Sequence, residues 1–150
     1  MTGTVIRRAV EADVAAVAAL LADDGIGAGR ESADDLAPYL AAFATVDADP
    51  SELLVVAERD GAVVGTLQLS LLPGLSRRGA LRAQIEGVRV AGTAQGAGLG
   101  ETLLRWAVDE ARRSGCALVQ LTSDARRTEA HRFYQRLGFE ASHLGYKLSL

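Results

Sequence analysis

The chain has 150 residues and a mass of 15.7 kDa, the length of one domain, and it can bury roughly 68–70% of its unfolded surface without a disulfide or metal staple. A composition of 49% hydrophobic and 23% charged residues excludes a disordered chain, and a net charge of −3 argues against a nucleic-acid partner. That charge is unevenly spread: residues 1–75 sum to −8 and residues 76–150 to +5, so the second half suits an anion, although a solvated surface gives the same arithmetic.

Val5 to Arg8 reads as a short first strand. Asp13 to about Asp24 reads as a helix, with Val14, Val17, Ala18 and Leu21 on one face and Gly25, Gly27 and Gly29 ending it. Ser32 to Val46 is a second helical region, in which Pro38 fits only near a first turn or at a kink. A hairpin follows. Leu53 to Ala57 is a buried strand, Asp60-Gly61 a turn, and Val63 to Leu71 the partner strand. Leu67, Leu69 and Leu71 fall on one face of that partner and Thr66, Gln68 and Ser70 on the other. Pro73-Gly74 breaks it, and a basic stretch with Arg77, Arg78 and Arg82 comes next.

The strand Leu81 to Val90 changes phase. Its apolar residues begin on odd positions (Leu81, Ala83, Ile85) and finish on even ones (Val88, Val90). Side chains alternate with period two, so the slip at Glu86-Gly87-Val88 requires an extra residue, which is a β-bulge. A glycine loop, Gly92 to Gly100, leads into a long amphipathic helix with Leu99, Leu103, Leu104, Ala107, Val108 and Ala111 on its apolar stripe. Ala117 to Thr122 reads as a buried strand and Thr128 to Leu137 as a helix stopped by Gly138. Phe139 to Leu150 is expected to hold one or two short strands. Strands and helices in this order predict a mixed sheet with helices on both faces.

The glycine loop is an anion site by construction. The first N–H groups of a helix lack intrahelical partners, the helix dipole favours negative charge there, and glycines let a phosphate approach the backbone. A plain tight turn is the alternative. The dinucleotide fingerprint fails, because Glu101 stands where its last glycine belongs, and no lysine is near for a Walker loop. What remains is Gln95-Gly96-Ala97-Gly98-Leu99-Gly100, a Q-x-x-G-x-G pattern. It resembles the acetyl-CoA pyrophosphate loop of the GCN5-related N-acetyltransferase (GNAT) superfamily. The bulged strand before the loop is similar to that family's, and so is Ala130-His-Arg-Phe-Tyr134-Gln-Arg-Leu-Gly138-Phe139, which matches A-x-x-x-Y-x-x-x-G-F. These motifs cover about residues 83–139; the first 50 residues match only in element order.

The resemblance implies an α/β (α+β) fold: a mixed, mostly antiparallel central sheet with a bulged, splayed strand and helices on both faces. It implies acetyl transfer from acetyl-CoA to a primary amine by direct attack, with no metal. Backbone groups near Val88, Arg89 and Val90 would pair with the pantetheine arm, and the loop from Gln95 to Gly100 would hold the pyrophosphate. Tyr134 would be the general acid for the leaving thiolate and Glu86 the base for the amine, directly or through water. Core packing for Tyr134 and a surface ion pair with Arg82 or Arg89 for Glu86 are the plainer alternatives. The family often has Asn where this chain has Arg127, whose role stays open between a CoA phosphate contact and a solvated charge.

Other residues carry weaker expectations. Arg77, Arg78 and Arg82 suit an acceptor with a carboxylate or phosphate, or simply solvent. His131 lacks a partner carboxylate, and His143 is a minor candidate acceptor contact. Cys116 is expected in the core; one cysteine and two histidines exclude an internal disulfide and a thiolate metal site. The longest apolar run, Val14 to Ala22, is far short of the ~20 residues a membrane span needs, and the first residues lack the order of a signal peptide. The expectation is a single cytoplasmic domain over residues 1–150 acting on a small-molecule amine, with a homodimer left open. A protein or peptide acceptor, drawn by acidic residues near Asp34 and Asp35, or a non-catalytic acyl-CoA sensor are the competing readings.

Overall fold

The computed structural model describes residues 3–23 and 29–150. In chain order these form β1 (Val5–Arg8), α1 (Val14–Ala22), α2 (Ala37–Ala48), β2 (Glu52–Arg59), β3 (Ala62–Leu72), α3 (Ser76–Gly79), β4 (Arg82–Val90), α4 (Leu99–Arg113), β5 (Leu118–Leu121) and α5 (Thr128–Arg136). The five strands make one sheet in the order β1-β2-β3-β4-β5. The first three neighbouring pairs are antiparallel and the β4–β5 pair is parallel. Gly25 and Gly27, read as part of the stop after α1, lie outside the described residues.

Local chemistry accounts for the elements. Asp60 and Gly61 both have positive φ, 53° and 77°, as the tight β2–β3 hairpin requires. Pro38 sits in the first turn of α2, where its missing N–H costs no helix bond. Helix α4 buries Leu99, Leu103, Leu104, Ala107 and Ala111 against Val55, Ala57, Leu67, Leu69, Ala83 and Ile85 on one face of the sheet. A smaller cluster on the opposite face joins Ala9, Val17 and Val56 with Leu21, Phe43 and Leu54. Helices therefore cover both faces. The short α3 is a single left-handed turn, with Arg77 and Arg78 at φ 55° and 59°.

Two expectations are corrected. Residues 118–121 are half-exposed rather than buried, because among the described residues β5 is the edge of the sheet and pairs only with β4. Phe139 to Leu150 holds no strand, and residues 140–150 are all exposed. A period-two apolar pattern marks a segment able to form a strand, but a strand exists only against a partner edge, and this segment lies against none of its own.

Candidate active site

The site begins at the bulge. Gln68 of β3 pairs with Glu86 and Thr66 with Arg89, so three steps on β4 face two on β3. Gly87, at φ 63°, supplies the backbone turn at the extra residue. The slip lies where the change of apolar phase puts it. The bulge bends β4 away from β5, and parallel pairing stops at Ile85–Leu121. Beyond that point the strands diverge and a cleft opens, lined by Glu86, Gly87, Val88, Arg89, Leu121, Thr122, Arg127 and Tyr134.

Among the described residues β4 has no strand neighbour on the cleft side past Ile85. Two of its carbonyls take side-chain donors instead: Arg89 Nη1 donates to Val88 O at 2.9 Å, and Gln95 Nε2 to Val90 O at 3.4 Å. These are the carbonyls a bound extended ligand would compete for. Gln95 thus ties the loop to the end of β4.

Glu86 is exposed and accepts a short hydrogen bond from Gln84 Nε2. Gln84 Oε1 accepts in turn from Gln120 Nε2 at 2.9 Å, and Gln120 Oε1 from Arg82 Nη1 at 3.4 Å. A chain of donors across β4 and β5 therefore ends on the Glu86 carboxylate and fixes one of its oxygens. Arg82 is the far end of that chain rather than part of the cleft.

Tyr134, on α5, lines the same cleft as Glu86. Its ring packs at 5.4 Å from Phe133 and 6.1 Å from Phe139 between centroids. Burial pushes its phenol up from the ordinary value, and the charges of Arg127 and Arg89 pull it partly back. Arg127 stands at the start of α5, half-buried in the cleft wall. Charge alone did not show its direction; the position just ahead of the Tyr134 helix was the available signal.

The glycine loop adjoins this cleft. Gly96 and Gly98 adopt φ of 84° and 76°, and a Cβ at either would meet nothing within 4 Å. Gly98 precedes α4 without a side-chain cap, and the helical ladder starts with Thr102 N donating to Gly98 O at 3.0 Å. The N–H groups of Leu99, Gly100 and Glu101 precede that first bond. A Cβ on Gly100 would lie 3.6 Å from Phe133 and 3.9 Å from Val90, so the helix start abuts both the end of β4 and the residue next to Tyr134. The loop therefore ends beside Val90 and Phe133, the chain neighbours of the cleft residues Arg89 and Tyr134.

The remaining candidates lie elsewhere. His131 Nε2 shares a 2.8 Å hydrogen bond with the Asp124 carbonyl, which binds α5 to the preceding loop. His143 is exposed beside Ser142. Cys116 is half-buried against the core, its thiol pushed up by burial. Arg77 and Arg78 are exposed on α3 and do not line the cleft. Asp35 Oδ1 accepts from Ala37 N at 3.1 Å just ahead of α2. Among the described residues no group of three His, Cys, Asp or Glu is arranged to hold a metal, and no helix is long and apolar enough to cross a membrane.

A mixed sheet splayed at one parallel pair, with a glycine loop at the mouth of the splay, is the frame of an N-acetyltransferase. The chain belongs to the acetyltransferase (GNAT) family, whose pattern matches residues 15–139. It is similar to an aminoalkylphosphonate N-acetyltransferase of Salmonella typhimurium, 34% identical over 108 residues that make up 72% of this chain and 70% of that protein. A glucosamine 6-phosphate N-acetyltransferase of Trypanosoma brucei brucei is also 34% identical, over 60% of this chain and 59% of that protein. Among solved structures, one from Bacillus halodurans C-125 described as a transcriptional regulator superposes with a TM-score of 0.96 at 41% identity, covering 99% of this chain and 100% of that one.

Proposed function

We propose that this N-acetyltransferase moves the acetyl group of acetyl-CoA to the primary amine of a small molecule that also carries a phosphonate or phosphate. The observation that carries the reading is that Glu86 and Tyr134 line one cleft together with Arg89 and Arg127. Open amides and bare glycine positions at Gln95–Gly100 suit a pyrophosphate, and the unpaired edge of β4 at Val88 and Val90 suits an extended amide-bearing arm. The amine nitrogen adds to the thioester carbonyl while Glu86 takes its proton, directly or through a water. The C–S bond then breaks, and the thiolate takes the Tyr134 phenolic proton. A backbone N–H at the bulge near Val88 stabilises the carbonyl oxygen as it gains charge.

The acceptor class rests on two further points. Both named relatives act on amines that bear a phosphonate or phosphate. Two guanidiniums in the cleft wall supply the planar donors such a group binds. The sequence alone pointed to Arg77, Arg78 and Arg82 for this task; Arg89 and Arg127 take it over in this reading.

The first experiment is thermal unfolding with acetyl-CoA, using NADPH and ATP as controls. Acetyl-CoA at ~100 Kd should add about 2.7 kcal/mol, a rise of roughly 5–10 °C for a chain of this size. Thiol release is then measured with aminoalkylphosphonates and with matched alkylamines. The phosphonates should show kcat/KM higher by about 10–100-fold, the worth of a charge-assisted contact, and Arg127→Ala should remove that advantage. Equal rates for both acceptors would sink the acceptor class and leave acetyl transfer standing. The description of the Bacillus halodurans relative favours a second reading, ligand binding without turnover; release of thiol by the wild type that Tyr134→Phe abolishes would exclude it.

A further inference from the structure

The donor chain behind Glu86 has a direction, and that direction carries a function. Arg82, Gln84 and Glu86 alternate along β4 and share the face opposite Ala83 and Ile85, which pack into the main core. On β5, Gln120 takes the same face, opposite Val119 and Leu121, and stands directly beside Gln84 in the parallel register. Three hydrogen bonds run along this face: Arg82 Nη1 to Gln120 Oε1 at 3.4 Å, Gln120 Nε2 to Gln84 Oε1 at 2.9 Å, and the short bond from Gln84 Nε2 to Glu86 Oε1. The Gln84–Gln120 pair lies one step before the last paired position, Ile85–Leu121. The chain therefore starts in the closed part of the sheet and ends where the strands part.

Its direction is set at the two ends. A guanidinium has only donors and an ionised carboxylate only acceptors, whereas an amide has both and can be turned over. With Arg82 donating, Gln120 must present its oxygen to Arg82 and its nitrogen to Gln84. Gln84 must then present its oxygen to Gln120 and its nitrogen to Glu86. Both ends demand the same orientation of both amides, and turning over one amide or both leaves two contacts mismatched. Arg82 thus acts on Glu86 through two neutral amides rather than as an ion pair.

We propose that Gln84, Gln120 and Arg82 are positioning residues for the base, holding Glu86 Oε1 so that Oε2 is presented to the acceptor amine. The inference rests on the reading of Glu86 as that base. Glu86 is exposed, and an exposed carboxylate left to turn freely must be ordered each time an amine arrives; the relay orders it beforehand. None of the three positioning residues lines the cleft, so they act through Glu86 and not on the acceptor.

The test keeps the shape of the relay and changes its direction. In Gln120→Glu the new carboxylate accepts from Arg82 and has nothing to donate, so Gln84 turns its nitrogen toward it and its oxygen toward Glu86. Gln120→Met keeps the length and offers neither donor nor acceptor. Both chains are compared with wild type by thermal unfolding with and without acetyl-CoA. Thiol release is measured with whichever of the aminoalkylphosphonate and the matched alkylamine the wild type acetylates faster. Gln120→Glu should hold or raise Tm, since Arg82 then faces a carboxylate. In both variants the acetyl-CoA shift and the KM for acetyl-CoA should stay unchanged. Their kcat should fall by about 10–100-fold, the worth of one hydrogen bond to a charged group, with the larger loss in Gln120→Glu. A purely structural role would move Tm and leave kcat. In a Glu86→Gln background either substitution should cost no further kcat, because the group it positions is gone. Wild-type kcat in both variants overturns the inference and leaves Glu86 standing as the base. A loss in Gln120→Glu alone, or a loss that persists beside Glu86→Gln, also overturns it, since the new charge would then be acting on the substrate. A wild type that turns over neither acceptor, or a Glu86→Gln chain with wild-type kcat, removes the base reading itself and this inference with it.

Discussion

At the scale of single residues, the site divides labour by environment. Tyr134 is half-buried and Glu86 is exposed, so burial favours the protonated form of one group while the other is open to water and to an incoming amine. Tyr134→Phe keeps the ring packed between Phe133 and Phe139, so stability and the acetyl-CoA thermal shift should be nearly unchanged. Turnover should fall by about 10²–10⁴-fold, the usual worth of a positioned proton donor. A donor acts only while protonated. With burial raising its phenol above 10, its loss as an acid should appear only as pH rises beyond that value, and kcat/KM should show no limb from Tyr134 at neutral pH. Glu86→Gln should lower kcat by a similar factor and shift the dependence on acceptor pKa. The contrast between these residues and Arg127 shows what a sequence reveals at this scale. Tyr134 and Glu86 stood out because the segments that carry them, the A-x-x-x-Y-x-x-x-G-F element and the bulge, resemble the family's, and both residues line the one cleft. Arg127 read equally well as a solvated charge, because whether its side chain turns inward depends on how α5 packs, which no local pattern encodes.

At the scale of elements, the β4–loop–α4 unit makes a claim that two glycines can separate. Gly98 has φ 76°, a conformation that costs a side chain about 1 kcal/mol or more. Gly100 is helical, and its added Cβ would make only ordinary contacts with Phe133 and Val90. Gly98→Ala should therefore lower the stability of the free protein by about 1 kcal/mol and weaken acetyl-CoA. Gly100→Ala should hold or raise that stability, as Ala is favoured over Gly in a helix by ~1 kcal/mol, yet still weaken acetyl-CoA, because the new methyl stands at the helix start where the pyrophosphate would rest. Thermal unfolding of both variants with and without acetyl-CoA reads the two effects separately. Unchanged ligand shifts in both would place the pyrophosphate elsewhere. The bulge at Glu86–Val88 was legible because an apolar phase slip is a purely local record of an extra residue. The fate of residues 140–150 was not, although their alternation is just as clean. Periodicity states which face is apolar, whereas the neighbour that makes a strand is set by topology.

At the scale of the whole molecule, ion pairs form within each half of the chain and leave the opposed balances of the two halves standing. Arg105, Arg112 and Arg113 bind Glu101, Asp109 and Glu110 one turn away on the same helix, and Arg126 binds Asp124. Exposed pairs of this kind contribute little. One pair in the acidic half is different. Asp13 is buried at the start of α1, where it accepts from Arg7 Nη1 and Nη2 at 2.8 and 2.9 Å and from Val10 N at 2.8 Å. Arg7 Nε also reaches Glu58 at 2.9 Å, so a single guanidinium joins β1, β2 and the entry to α1. Asp13→Asn keeps the size but removes the charge from a bidentate pair and leaves Arg7 with fewer acceptors. It should cost about 1–3 kcal/mol, a fall in Tm of roughly 2–12 °C at neutral pH. The pair with Arg7 holds the Asp13 carboxyl below its ordinary value. Its contribution is therefore complete above the unfolded value of ~3.9 and is lost as pH falls below it. Unfolding of wild type and variant at pH 7 and again near pH 3 should show the gap between them narrowing in acid. A gap that stays constant across that range would mean that the cost of Asp13→Asn is one of shape and hydrogen bonding at the helix entry rather than of charge.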